Sequence, residues 1–442
     1  MSEVRYGSGC NSCQKGARAA SVAMSLSSAA CQASSKIVAI LVVGTIVFAH
    51  IGTLWLPFVN QEQAFNAAAR YFHTGDIALA QRFFNSDANT LVLGAVGAAL
   101  AELLHIDTDW GCRLVSLIGF AVFAAALQSL ITQAGLTTWL LSAAIMVNPL
   151  IWVFAGRGTA DFPPMAFAMA AIAICWRAQG IAMAVAGALV FAFAAALKYH
   201  AVLLLPLFAM SPAPRQSATF RVFMVTTVSI ATLVTLSAYN VAVFRSFGFW
   251  LTSPQWVSAH GPTVQNILTN IVHYGGFLAL LGMPFSLQSA FASPAGRIFK
   301  ILAVGMVALM GAAMPPSAGE MNFGPFDRWV GASFSGVVLA GLFAIFVFSL
   351  LNRLQSVQDR SVVGAIVLVL LALSFSRPAQ RYLIFVVPIY VLYLSAPTRI
   401  DVRRFAGPLI AICIAINIFS AVTQNYFRAA PSEHFGAARE WK

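Results

Sequence analysis

Apolar residues along the chain gather in long runs, and short polar segments separate these runs. Each run holds roughly 17 to 23 residues, enough for a helix to cross about 30 Å of hydrocarbon at about 1.5 Å per residue. The pattern therefore predicts a bundle of transmembrane helices. The predicted spans cover residues 37–57, 111–131, 137–155, 164–178, 181–197, 219–244, 266–287, 300–314, 333–352, 361–376, 382–396 and 406–423.

A shorter apolar run, 201–210, follows the fifth predicted span after a basic residue. A single helix over 181–210 would place Lys198 inside the bilayer, at a cost of about 2.5 to 3.5 kcal/mol near its centre. We therefore expect the helix to break at Lys198 and the chain to turn back. The sequence thus predicts an all-α polytopic membrane protein of about 12 to 13 crossings.

The polar stretch 58–110 lies between the first and second predicted spans and also has helical periodicity. Its first part has apolar side chains at i, i+3, i+4 and i+7, the pattern of a helix lying in the membrane interface. These are Phe65, Ala68, Ala69 and Phe72. Gly75 and Asp76 are expected to end this helix.

A second juxtamembrane helix is predicted over residues 91–105. The segment is apolar, but it carries Glu102 and is too short to cross the bilayer, so we expect it to lie against the membrane surface. Asp107 or Thr108 is then expected to cap the helix of the second span.

Composition supports a membrane protein, because 60% of the 442 residues are hydrophobic and only 9% are charged, whereas soluble domains average about 25% charged residues. With the N-terminus in the cytoplasm, the inner segments hold 14 basic and 3 acidic residues, and the outer side holds the other 12 basic and 11 acidic ones. The net charge of +12 therefore follows the positive-inside rule. It does not indicate a nucleic-acid partner.

The same topology divides the chain into three parts. Residues 1–36 are expected to form a disordered cytoplasmic tail, 37–424 the transmembrane domain and 425–442 a short C-terminal tail, with 58–110 as the first periplasmic loop. Cys10 and Cys13 form one CxxC pair, but no second pair follows. Because a structural zinc site needs four ligands, no metal site is predicted there.

Several short motifs lie at the predicted outer ends of the spans. Glu62 follows the first span and precedes ARYFHTGD at 69–76. Trp110 and Arg113 in WGCR open the second span, and Pro149, Arg157 and Asp161 in NPLIWVFAGRGTAD follow near the end of the third. The last two motifs are ALKYH with Lys198, and RYLIFVVP with Arg381 and Tyr382, shortly after Arg377. In their order and in their placement on one membrane face, these motifs resemble the GT-C superfamily of membrane glycosyltransferases. That superfamily includes protein O-mannosyltransferases and the enzymes that move aminoarabinose onto lipid A.

The resemblance implies a GT-C-like helical bundle in the bacterial inner membrane, with its active site facing the periplasm. It also implies an inverting transfer of a sugar from a polyprenyl-phosphate donor to a lipid, glycan or protein acceptor. Phosphate leaves without protonation, so one carboxylate suffices as base, and Glu62 is predicted to be that base. Asp161 is predicted to orient the acceptor or to raise the pKa of Glu62 by like-charge proximity.

The resemblance also implies roles for residues near the donor. The cations predicted to bind the phosphate of the sugar donor are Lys198, Arg377, Arg381 and Arg157, because positively charged side chains form strong hydrogen bonds to phosphate. His200 and Tyr382 are predicted to line the acceptor or donor pocket. No second acid lies beside Glu62, which disfavours a metal site, although a divalent cation stays an open alternative. No large soluble domain is expected, which disfavours an oligosaccharyltransferase.

Simpler interpretations apply to the same residues. Glu62 alone can cap or solvate its helix, Asp161 can be an ordinary N-cap, and basic residues near a membrane surface often only reach the headgroups. Asp107 and Asp109 form a DxD pair that helix capping explains better than a metal does. The alternative function is a transporter or flippase for a lipid or sugar. Transport pathways usually place ionisable residues at the bilayer midplane, whereas here they lie at predicted span ends.

Overall fold

The computed structural model describes residues 37, 40–46, 48, 62–80, 90–134, 139–210, 216–244, 263–292, 296–315, 331–354, 357–375, 379–395 and 407–415. Within these residues all regular secondary structure is helical. The all-α prediction is therefore confirmed for this part of the chain. Both predicted tails and the candidate residue Arg377 lie outside the described residues.

Fourteen α-helices are described with both ends. They are α1 (Glu62–Thr74), α2 (Val92–Leu104), α3 (Thr108–Gln133), α4 (Trp139–Met146), α5 (Pro149–Phe154), α6 (Phe162–Arg177), α7 (Ile181–Leu197), α8 (Ala218–Phe244), α9 (Val264–Leu281), α10 (Phe285–Ala290), α11 (Arg297–Met310), α12 (Ala332–Leu351), α13 (Val357–Ser374) and α14 (Val387–Ser395). Two longer 3₁₀ segments, Tyr199–Met210 and Gln380–Phe385, interrupt this series, and Gly311–Ala313 forms a short one.

Three of the described helices are long and apolar enough to cross a membrane. They are α3, the Ala218–Val243 part of α8, and α12. Shorter apolar helices include α2, α6 and α7. These helices support a membrane protein, while the count of about 12 to 13 crossings stays a prediction.

The predicted span 137–155 is not one helix. It divides into α4 and α5 at Asn148, which caps α5 by accepting a hydrogen bond from the Leu150 amide at 3.2 Å. The Asn148 side-chain amide also donates to the Leu281 carbonyl of α9 at 2.9 Å. Pro149 at the first position of α5 has no N–H to continue α4. A continuous span was therefore the wrong prediction here, because hydropathy averaged over a window does not register a single capping residue.

The break predicted at Lys198 is confirmed. Helix α7 ends at Leu197, and Lys198 itself has an extended backbone, with φ −162° and ψ 120°. The 12-residue 3₁₀ segment Tyr199–Met210 follows directly. Runs of 3₁₀ helix longer than three or four residues are uncommon, and they often mark a functional or strained region.

Helices are observed at both positions where juxtamembrane helices were predicted, as α1 and α2. Helix α1 ends before Gly75, whose φ of +74° suits glycine, and Asp107 caps α3 by accepting from the Asp109 amide at 3.0 Å. Three of the four apolar residues predicted to face the membrane interface are instead buried against α2 and α3, and Phe72 alone stays about half exposed. The α1 stripe was therefore predicted correctly as apolar and wrongly as lipid-facing.

Small residues allow this close packing of α1, α2 and α3. A Cβ atom on Gly111 would lie 2.1 Å from the carbonyl oxygen of Gly97, so α2 and α3 touch backbone to backbone. A Cβ atom on Gly94 would lie 2.5 Å from the Cβ of Ala68 on α1. Helices α1 and α2 are thus packed into the protein body, where they position the residues described next.

Candidate functional site

Five of the predicted site residues meet in one buried cluster, which we call the Asp161 cluster. Its members are Asp161, Lys198, His200, Arg381 and Tyr382. They come from three segments that contact one another: the start of α6 and the two longer 3₁₀ segments, with the junction before the first of these. The predicted convergence of Lys198 and Arg381 is therefore present in the described structure.

An ion pair forms the centre of the Asp161 cluster. Nζ of Lys198 donates to Oδ1 of Asp161 at 2.5 Å, and Nε of Arg381 lies 4.0 Å from the same oxygen. The Asp161 and Lys198 side chains are almost completely buried, and that of Arg381 is 13% exposed. Two cations and one carboxylate leave this cluster with a net charge of +1, which suits an anionic ligand.

Asp161 has the position of an N-cap but not its hydrogen bond. It directly precedes α6, yet its side chain accepts no capping bond from that helix. Two prolines near the start of α6, Pro163 and Pro164, remove backbone donors from the first turn. The carboxylate therefore points to Lys198, and simple capping does not describe its role in this structure.

The aromatic ring of Tyr382 lies against the charged groups. Nζ of Lys198 is 4.8 Å and Cζ of Arg381 is 5.6 Å from the centre of this ring. The His200 imidazole stacks on the same ring, with centroids 4.5 Å apart and planes inclined by 23°. Cations over an aromatic face are held by its quadrupole, so Tyr382 and His200 form one wall of the cluster.

Some polar atoms of this cluster have no hydrogen-bond partner. Oδ2 of Asp161 and Nδ1 of His200 are both buried and make no hydrogen bond. Leaving a buried polar atom without a partner costs about 1 to 3 kcal/mol, and more for a charged group. Such atoms in one cluster indicate a place where a ligand is expected to complete the bonding.

The charge state of Asp161 follows from its neighbours. Burial acts to raise the pKa of this carboxyl, but the charges of Lys198 and then Arg381 outweigh it and lower the pKa to about 2. Asp161 is therefore a carboxylate at every physiological pH while both cations remain beside it.

Glu62 lies in a different environment, with Arg113 and Gly158. Its Oε1 accepts from Nε of Arg113 at 3.0 Å and from the Gly158 amide at 2.8 Å, and its Oε2 accepts from Nη2 of Arg113 at 3.2 Å. Both side chains of this pair are almost completely buried. Each of the two predicted catalytic acids therefore pairs with its own cation.

The partner of Glu62 was not predicted. Arg113 belongs to the WGCR motif and lies near the start of α3. A basic residue inside an apolar span was the available signal that an acidic partner exists. The pairing itself joins residues 51 positions apart, so local sequence does not reveal it.

Arg157, a predicted phosphate ligand, stacks beside its own helix end. Its Cζ lies 5.3 Å from the centre of the Phe154 ring, and its carbonyl oxygen accepts a 2.5 Å hydrogen bond from the Ser116 hydroxyl. These contacts fix the loop between α5 and α6. They do not bring the Arg157 guanidinium to Asp161.

The DxD pair has structural partners. Asp107 caps α3, and Asp109 accepts hydrogen bonds from Arg70 at 2.6 Å and from Asn66 at 2.8 Å, which ties α3 to α1. Within the described ranges, no group of three or more His, Cys, Asp or Glu side chains could hold a metal ion.

Comparison with protein-family models, curated proteins and solved structures finds no match for the chain. The resemblance to GT-C glycosyltransferases therefore rests on the motifs quoted above. What the site can do is argued from its own geometry.

Proposed function

We propose that the protein is an inverting glycosyltransferase that moves a sugar from a polyprenyl-phosphate donor to a lipid, glycan or protein acceptor. The proposed place is the periplasmic face of the bacterial inner membrane. The observation that carries this proposal is the convergence of Lys198 and Arg381 on Asp161, in a buried cluster whose bonding is incomplete. These residues lie up to 220 positions apart in sequence.

The two cations suit a phosphodiester. Lysine offers a compact charge, and the arginine guanidinium offers a fork of donors that matches two phosphate oxygens. Burial strengthens both interactions, because the local dielectric is low. Lys198 and Arg381 would thus hold the donor phosphate and stabilise the negative charge that it gains when it leaves.

Asp161 would take the proton of the acceptor. The acceptor oxygen attacks the anomeric carbon opposite the phosphate, the carbon–phosphate oxygen bond breaks with its electron pair on phosphate, and the hydroxyl proton passes to a carboxylate oxygen of Asp161. A carboxyl with a pKa of about 2 is a weak base. Donor phosphate that draws Lys198 and Arg381 away would leave burial as the main effect on Asp161, and its pKa would rise toward a more effective value.

Glu62 is less suited to that task. Its carboxylate already accepts hydrogen bonds from Arg113 and the Gly158 amide. Its oxygens therefore have less acceptor capacity left for an incoming hydroxyl than the unbonded Oδ2 of Asp161 has. The proposal therefore assigns the proton transfer to Asp161 among the two acids that the sequence predicts.

Transport of a lipid-linked sugar is the second candidate function. The observation that favours it is the pair of 3₁₀ segments at a buried charged cluster, because transporters bind substrates at interrupted helices. A transferase moves the sugar from its polyprenyl-phosphate carrier to an acceptor, whereas a transporter leaves the sugar bonded to its carrier.

Mass spectrometry of envelope lipids and glycans from a deletion strain separates them. A transferase predicts loss of one sugar from a lipid, glycan or protein and accumulation of the polyprenyl-phosphate sugar, with recovery by the wild-type gene but not by Asp161→Asn. A transporter predicts that the donor accumulates on the cytoplasmic side. An unchanged set of glycans and donors in the deletion strain would contradict both functions.

A further inference from the structure

Glu62 and Arg113 form a buried ion pair that touches the loop carrying Asp161. The Gly158 amide donates to Oε1 of Glu62 at 2.8 Å, and Gly158 lies three residues before Asp161. A Cβ atom on Gly158 would lie 3.1 Å from the Cβ of Cys112 and 3.4 Å from the Cγ of Arg113. The loop therefore rests directly on α3, beside the ion pair.

A second contact ties the same loop to the same helix. The Ser116 hydroxyl, one turn after Arg113 on α3, donates to the Arg157 carbonyl at 2.5 Å. The Arg157 carbonyl is thus held by Ser116 of α3, and the Gly158 amide is held by Glu62 of α1. Glu62 in turn pairs with Arg113 of α3. Ala160 is buried in the apolar core formed by α1, α2 and α3.

We propose that Glu62 and Arg113 are positioning residues, whose ion pair fixes the loop 155–161 and thereby places Asp161 against Lys198 and Arg381. This inference rests on the proposed glycosyl transfer at Asp161. In this inference Glu62 transfers no proton, and Arg113 acts by holding Glu62 in place. Displacing a reacting group by about 1 Å can cost about 100-fold in rate, so loosening this loop should lower turnover.

The charge balance of the pair provides a sharp test. Removing one partner takes from the other the opposite charge that it faces in this pair, whereas replacing both by neutral groups removes the two charges together. Glu62→Gln leaves Arg113 without its carboxylate, and Arg113→Gln leaves Glu62 without its guanidinium. In Glu62→Gln/Arg113→Gln both charges are gone, and the amide oxygen introduced by Glu62→Gln can still accept from the Gly158 amide.

The experiment measures transfer from a polyprenyl-phosphate sugar by purified full-length protein in liposomes, with kcat referred to the folded fraction. We expect each single variant to lose about 10- to 100-fold in kcat with little change in KM for the donor, since the donor cations are elsewhere. The double variant should recover at least about tenfold over either single variant. A carboxylate that acts as base cannot be replaced in this way, so a double variant as inactive as Glu62→Gln would overturn the inference.

Two further variants complete the test. Arg70→Gln/Asp109→Asn removes a partly exposed ion pair that also joins α1 to α3, and it should keep kcat within about threefold. Ser116→Ala removes the other tie to the loop without touching any charge, and it should lower kcat but not KM. Unchanged kcat in Ser116→Ala and Glu62→Gln would also overturn the inference. Absence of transfer by the wild-type protein would instead contradict the proposed function, so the two failures are distinguishable.

Discussion

Two buried acids, Glu62 and Asp161, have very different surroundings. Both oxygens of Glu62 accept hydrogen bonds, from Arg113 and from the Gly158 amide. Asp161 has one oxygen paired with Lys198 and a second oxygen that is buried without a hydrogen bond. The two acids are therefore alike in burial and differ in how completely their oxygens are hydrogen bonded.

The surroundings of the two cations differ in the same way. Arg113 is bound to its acid through two nitrogens and lies on one long helix, α3. Lys198 and Arg381 approach one oxygen from two irregular segments, beside an aromatic wall. Interrupted helices at a buried charged cluster are typical of ligand sites in membrane proteins. The Asp161 cluster thus differs from the Glu62 pair in its irregular backbone and in its buried polar atoms without hydrogen-bond partners.

The largest expected effect is the loss of the Asp161 carboxylate. Asp161→Asn keeps the size of the side chain but cannot take a proton, so transfer should fall by about 10² to 10⁴-fold, while the protein still binds donor. Asp109→Asn serves as the matched control, because Asp109 lies on α3 and pairs with Arg70. Transfer by Asp161→Asn at the control's rate would remove Asp161 from the mechanism.

Next in size is the effect of removing a phosphate cation. A hydrogen bond to a charged group contributes roughly 1.5 to 3 kcal/mol, so Arg381→Ala should weaken donor use by about 10- to 150-fold. Arg381→Lys should restore only part of this, because an ammonium keeps the charge and loses the fork. The readout is transfer rate against donor concentration. Identical curves for Arg381→Ala and wild type would show that Arg381 is only a membrane anchor.

A third, smaller effect concerns pH. Lys198 and Arg381 lower the pKa of Asp161 to about 2, below the ordinary value of about 3.9. Their contribution to folding stability is therefore fully present above about pH 4 and is lost as pH falls through about 2. In Lys198→Gln the burial that raises this pKa remains and the largest opposing charge is gone.

The pH profile should respond accordingly. The acid limb of kcat/KM, which reports the free protein, should move to higher pH in Lys198→Gln than in wild type. An acid limb at the same pH in both proteins would show that Lys198 does not control the protonation of Asp161. Lys198→Arg, which keeps a positive charge, is the control and should leave the limb near its wild-type position.

The smallest effect is expected from the partly exposed pair that joins α1 to α3. Arg70 and Asp109 bond at 2.6 Å, but their side chains are 36% and 27% exposed. Exposed ion pairs contribute about 0 to 1 kcal/mol, so Arg70→Gln should lower the melting temperature by far less than Arg113→Gln does. Equal shifts in the two variants would mean that burial does not distinguish these pairs.

Local sequence was enough to predict the parts of the fold that single residues decide. The charge of Lys198 predicts the break after α7, glycine at position 75 predicts the end of α1, and Asp107 predicts the start of α3. The division of the third span at Asn148 was missed, because one side-chain bond to another helix decided it.

The candidate site was predictable in its membership and not in its pairing. Placing charges at span ends brought Asp161, Lys198 and Arg381 to one face. Which acid pairs with which cation depends on contacts between segments far apart in sequence, such as Glu62 with Arg113. The apolar stripe of α1 likewise gives no indication whether lipid or protein covers it, and here α2 and α3 do.

Following a labelled sugar shows in one assay whether Asp161 supports transfer of the sugar. Liposomes are prepared with purified protein, a polyprenyl-phosphate sugar labelled in the sugar, and an extract of the host's envelope lipids and glycans as acceptors. We expect wild type to move the label into a new lipid, glycan or protein product and to leave free polyprenyl phosphate, while Asp161→Asn binds the donor and moves nothing. Label that stays on the polyprenyl phosphate with wild type, whether or not it crosses the bilayer, would contradict a glycosyltransferase centred on Asp161.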